Sequence, residues 1–244
     1  MAPGQVVDTE SAREFMRETL AKITPGELDT IAEELGRKHA GFRARLDRPS
    51  VRLGEADLRA VLRSVFAARR RVPDFLGRLG VERLAGWIDD LLHGAGPAPG
   101  RLETFCERLD GLPPTVRYDV GSELLHFTDP ERYWLWSRWL WDPQTRTGAL
   151  PLVTMEEYDL DGGSVGETYL RVGRALAFVH ETGRAAGFTR VGHGPFGVDV
   201  YLACVYGVYV YTTVRMRMTQ EFNRVIPPLP ELARRLLGVH ELEL

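Results

Sequence analysis

GLPPTVRYDVGSELLHFTDPERYWLWSRWLW, residues 111–141, holds a turn signal, an apolar helical stripe, a second helix start and four of the five tryptophans. Gly111-Leu112-Pro113-Pro114 reads as a turn, because glycine tolerates positive φ while consecutive prolines fix φ and remove two backbone donors. A helix follows from Val116, since Val116, Val120, Leu124 and Phe127 lie three or four apart and share one face. Asp129-Pro130-Glu131-Arg132 then combines a capping carboxylate with proline at the first helical position, the pattern of another helix start. The rings at 134, 136, 139 and 141 cannot share one helical face. At least one indole must therefore leave the local core for another element, a partner or a ligand. Tyr133, Trp134, Trp136, Trp139 and Trp141 are accordingly candidates for a contact surface, against the plainer reading that large rings fill a core.

Leu109-Asp110-Gly111-Leu112-Pro113-Pro114-Thr115-Val116, then Leu124-Leu125-His126-Phe127 and Asp129-Pro130-Glu131-Arg132-Tyr133, resembles the helix-hairpin-helix region of the DNA glycosylase superfamily. In that family a Gly-x-Gly hairpin precedes a helix, a short loop and another helix. Here the second hairpin glycine is Pro113, and neither the lysine after the turn nor the later acidic residue is present. The resemblance therefore implies a nucleic-acid-binding module without base-excision chemistry.

With 244 residues, 44% hydrophobic and 27% charged, the chain is long enough to bury a core without staples. Cys106 and Cys204 belong to no CxxC or Cys/His cluster, so neither a disulfide framework nor a structural zinc site is expected, and a cytoplasmic location is the default. The N-terminus MAPGQVVDTESAREF is polar and lacks the apolar centre of a signal peptide. The longest apolar run, 200–214, falls short of the roughly 20 residues that cross a bilayer, so no membrane partner is expected. Net charge is −3 but uneven: residues 1–36 carry eight acidic and three basic groups, residues 37–71 eleven basic and three acidic.

Helices are predicted over 12–23, from Thr24-Pro25 onward, over 53–71, within 73–93, over 102–109, from Ser164 and over 231–237. One short strand is predicted near 149–155. The fold class is thus mainly α, a multi-helix globular chain. Gly94-Ala95-Gly96-Pro97-Ala98-Pro99-Gly100 is the strongest linker signal and divides the chain into 1–94 and 101–244. If 53–71 is one helix, Arg59, Arg63 and Arg70 form a basic stripe that, with the backbone of Gly111, could receive phosphates. A solvated face paired with the acidic N-terminal segment accounts for the stripe equally well.

Glu157, Asp159, Asp161 and Gly162 match the start of a calcium loop, but Ser164 and Glu167 break its later positions, and no metal is expected. His193 and Gly194, in the glycine-rich run 192–197, form a candidate ligand loop, because glycine admits close backbone approach and histidine titrates near neutrality. No nucleophile elbow, phosphate loop or cofactor motif is present, so no catalytic residue and no cofactor is assigned. The reading that follows is a non-catalytic accessory or interaction subunit of a larger assembly. Its partner is another protein or a second copy, and nucleic acid is the alternative.

Overall fold

The computed structural model describes residues 6–47, 53–185, 194–217 and 227–240. Among them are ten α-helices: α1 Thr9–Leu20, α2 Pro25–Leu46, α3 Glu55–Ser64, α4 Val72–Leu79, α5 Val81–His93, α6 Ala98–Arg108, α7 Pro114–Thr128, α8 Val165–Ala185, α9 Gly197–Arg217 and α10 Leu229–Leu236. The fold is mainly helical and, among the described residues, without a sheet. The strand expected near 149–155 is a single 3-10 turn, Leu150–Leu152, beside an isolated antiparallel bridge from Val7 to Thr154. Proline at 151 lacks the N–H that a ladder needs.

The chain divides into two compact units, the first comprising Met1–Leu35, Trp139–Leu160 and Arg174–His240, the second Gly36–Arg138, Asp161–Gly173 and Glu241–Leu244. Residues of α2 and α8 belong to both. The linker signal at 94–100 lies inside the second unit, where its last three residues open α6 with Pro99 in the first turn. Proline at that position gives up only an N–H the helix cannot use. The division falls instead inside the aromatic block, between Arg138 and Trp139.

In the first unit, Asp8 caps α1 by accepting from the backbone N–H of Glu10 and Ser11, so the helix starts one turn before the Ser11 box. Thr24 and Glu27 form the expected reciprocal box at α2: the Glu27 carboxylate accepts from the Thr24 N–H at 2.8 Å and the Thr24 hydroxyl from the Glu27 N–H at 3.3 Å. α9 packs against α1 and α10, and the Tyr201 hydroxyl donates to the Ala12 carbonyl at 3.0 Å. Gly207 is where α9 lets Leu229 approach: an added Cβ would sit 2.4 Å from its Cδ1.

The second unit is built on α7. Its expected stripe is buried, with Val116 3% exposed and Val120, Leu124 and Phe127 fully enclosed. The face beside it is buried as well, and it is polar: Asp119, Ser122, Glu123 and His126 are all enclosed. At Gly121 the helix meets α6 so closely that a Cβ would lie 2.5 Å from Leu102 Cδ1 and 3.0 Å from Phe105 Cδ1. The helix expected over 53–71 stops at Ser64, whose hydroxyl bonds the Val61 carbonyl while Val65 turns extended. That local side-chain bond competes with helix continuation.

Candidate functional site

The buried polar side of α7 explains why the helix expected after Asp129-Pro130 does not form. Asp119, Ser122 and His126 recur at helical spacing and reach the backbone of the segment that follows. Asp119 Oδ1 accepts from the Arg138 N–H at 2.8 Å, Ser122 Oγ from the Trp136 N–H at 2.5 Å, and His126 Nδ1 meets the Tyr133 carbonyl at 2.7 Å. These bonds satisfy a buried, irregular backbone that has neither a ladder nor a helix to do so. Released from one helical face, the rings spread out. Trp136 stacks on Tyr118 with centroids 4.1 Å apart, Trp134 lies against Gly173, and Trp139 meets Tyr206 at 6.5 Å.

Trp136, Trp139 and Trp141 are 1%, 3% and 3% exposed, and only Tyr133 and Trp134 are partly accessible. Three of the five rings expected at a contact surface are therefore core residues.

Beside that latch lies a buried ion pair. Lys38 Nζ of α2 donates to Glu123 Oε2 at 2.6 Å, with both side chains almost wholly enclosed, and the ammonium sits 3.9 Å from the Phe127 ring centroid. Burial pushes the Glu123 carboxyl above its usual range, opposed by the charge and hydrogen bond of Lys38. A lysine, a carboxylate and a histidine together suggest proton chemistry, yet both charged side chains are sealed from any substrate. Their arrangement is that of a structural clamp.

The basic stripe does not survive intact. Arg59 pairs with Glu55 at 2.5 Å within α3, Arg63 is exposed near its end, and Arg70 falls in the turn beyond Ser64, off the helical register. Gly111 does occupy a turn at φ 86°, but the Arg78 guanidinium covers it, an added Cβ lying 3.0 Å from Nη2. Pro113 and Pro114 supply no N–H there. His193 lies outside the described residues; Gly194 is exposed at φ 84° with nothing near its Cβ position. Around Asp161 the loop closes onto α8, the Gly162 N–H donating to Thr168 Oγ1 at 3.0 Å and the Gly163 N–H to Glu167 at 2.7 Å. Among the described residues no group of three or more His, Cys, Asp or Glu is placed to hold a metal ion, and no helix is long and apolar enough to cross a membrane.

Among the described residues, each unit holds a cavity of its own. In the first unit, a small pocket of about 30 Å³ lies among Val7, Met16, Val179, Val198 and Tyr201, with His180, Thr182 and Arg184 also on its wall and a mainly apolar surface. In the second, an open cleft of about 380 Å³ is lined by Trp87, Asp90, Arg101, Thr104, Phe105 and Arg108, with the 94–97 loop at its end. Spacings of three and four put Arg101, Thr104, Phe105 and Arg108 on one face of α6, while Trp87 and Asp90 share a face of α5. Arg108 Nη1 pairs with Asp90 at 2.5 Å at the rim. Arg101 is held rigidly: Nη1 donates to the Leu92 carbonyl at 2.7 Å and Nη2 to the Tyr133 hydroxyl at 3.1 Å, while Nε is buried without an acceptor. Among the described residues, none of its partners is a carboxylate. Sequence reading passed over this cleft because 94–100 looked like a linker; the periodicity 101, 104, 105, 108 was the available signal.

Comparison with family models, curated proteins and solved structures returns no match to this chain.

Proposed function

We propose that this chain is a non-catalytic, helical accessory subunit that docks a partner protein through the α5–α6 cleft. One contrast supports the reading. The accessible concave site offers groups suited to holding a ligand, an indole, two guanidinium groups and a hydroxyl, whereas Lys38, Glu123 and His126 are enclosed. Indole and guanidinium groups are the side chains that interfaces favour as anchors.

The test compares the tagged full-length chain with a Trp87→Ala, Arg108→Gln variant in extract from the native host. The expected result is one stoichiometric partner, retained by the wild type and lost by the variant while both melt at similar temperatures. A monomer that retains nothing, or a partner held equally by both forms, overturns the reading. Light scattering separates a second copy of the chain from a different protein.

The alternative, a nucleic-acid-binding module at the Gly111 turn, draws support from the positive φ of that glycine between α6 and α7. It predicts duplex binding that weakens steeply with salt, and absence of binding at low salt removes it.

A further inference from the structure

We propose that the α5–α6 cleft receives an extended, acidic segment of a partner polypeptide, with a carboxylate side chain between Arg101 and Arg108. This rests on the docking reading above and names the chemistry of what docks.

The first argument is charge. Arg101 carries a full positive charge in a partly buried place, its Nη groups turned to a neutral carbonyl and a phenol, its Nε without any acceptor. The negative end of the α5 dipole compensates part of that charge, since Leu92 is in its last turn, but among the described residues no carboxylate completes it. A partly buried cation gains from an opposite charge more than an exposed one does, because screening is weaker there.

The second argument is exchange. Arg108 already holds a carboxylate, that of Asp90, whose side chain is 61% exposed. Exposed pairs of this kind are weak, so an incoming carboxylate displaces Asp90 at small cost. The resident pair also favours a singly charged group, because a dianion would meet stronger repulsion from Asp90.

The third argument concerns backbone. Ala95 and Gly96 are exposed at the end of the cleft, Gly96 at φ 94°, and neither donates its N–H to a backbone carbonyl among the described residues. Free N–H groups beside a groove are what an extended peptide pairs with, its side chains then falling into pockets. Trp87, Leu91 and Phe105 give an apolar residue flanking the carboxylate a wall to lie against. The volume, about 380 Å³, suits one or two side chains.

The test is an NMR titration of the full-length protein with acetyl-Leu-Glu-amide, and in parallel with acetyl-Leu-Gln-amide. Saturable shifts are expected at the Trp87 indole N–H and at the Ala95 and Gly96 amides. Affinity should be about tenfold weaker for the glutamine peptide and for Arg108→Gln, the loss of one charge-assisted contact. Arg101→Lys, which keeps the charge but not the fork, should weaken binding as well. Because Arg101 also bonds Leu92 and Tyr133, Arg108→Gln at the rim serves as the variant that cannot be confused with misfolding. Absence of shifts at those resonances up to about 10 mM peptide, or equal affinity for both peptides, overturns the proposal. Failure of the titration with a partner still lost from the cleft variant would sink only the acidic chemistry. Charge-dependent peptide binding with no partner retained would sink only the accessory-subunit reading.

Discussion

Lys38 and Glu123 form the contact in the second unit whose disruption has the largest predicted effect, because neither charge can return to water without opening the core. Their mutual attraction offsets a desolvation cost of several kcal/mol for each ion, and the Phe127 ring face adds a cation–π contribution. Removing one partner leaves the other charge buried and alone. Lys38→Met is therefore expected to cost about 3–5 kcal/mol at pH 8, and Lys38→Met with Glu123→Leu to recover most of that loss. The pH dependence follows from the raised pKa of Glu123, whose ordinary value is 4.5. A folded state that holds its proton more tightly than the unfolded chain is at full stability below the unfolded pKa and loses it as pH rises through the folded pKa. Without Lys38 only the smaller effects of His126 and the Phe66 backbone oppose that shift, so the single variant should be markedly less destabilised at pH 5 than at pH 8. Urea midpoints at the two pH values measure it. An equal loss at both would mean that Glu123 is not the buried charge at issue. The sequence carries half of this pair: Lys38 falls on the apolar stripe of α2, three residues after Leu35 and four before Phe42, but its partner Glu123 is too far along the chain for spacing to reveal it.

At the scale of elements, what was legible is what local chemistry dictates. The Thr24–Glu27 box opens α2, the prolines open α7, and the stripe of Val116, Val120, Leu124 and Phe127 faces inward as its spacing requires. The block after Asp129 was misread for a reason that a local window does not contain. Its backbone is held by Asp119, Ser122 and His126, a tertiary partner that offers the hydrogen bonds a helix would otherwise supply. The cleft was missed similarly, since Pro and Gly at 94–100 signal a break without saying that α6 begins within it. Two glycines separate helix propensity from packing. Gly86, exposed in mid-α5 with nothing near its Cβ position, should become more stable as alanine by up to about 1 kcal/mol. Gly121, where a Cβ meets Leu102 and Phe105 of α6, should lose about 1–3 kcal/mol with the same change. Thermal melts of Gly86→Ala and Gly121→Ala check both; a stabilising Gly121→Ala would show that α6 yields freely.

At the scale of the whole chain, each unit carries its own buried thiol, Cys204 in the first and Cys106 in the second. Burial pushes each up to about 12 from an ordinary value of 9.0. The thiolate is the reactive form, so neither cysteine should react with a thiol reagent at pH 8 until its unit opens. The same shifts bear on alkaline stability. The folded chain keeps protons that the unfolded chain releases near pH 9, so stability is intact below that value and falls as pH rises toward 12, by at most about 1.4 kcal/mol per pH unit for each thiol. Cys106→Ala and Cys204→Ala then leave one reporter each. The second unit is closed by the enclosed Lys38–Glu123 pair and the α7 latch, the first by the packing of α9 on α1 and α10. Distinct interactions in each unit predict distinct opening free energies, read as labelling rates with different urea dependence in the two variants. Lys38→Met should accelerate labelling of Cys106 far more than of Cys204. Coincident urea dependence for both thiols, with an equal response to Lys38→Met, would instead show that the chain opens as one cooperative body.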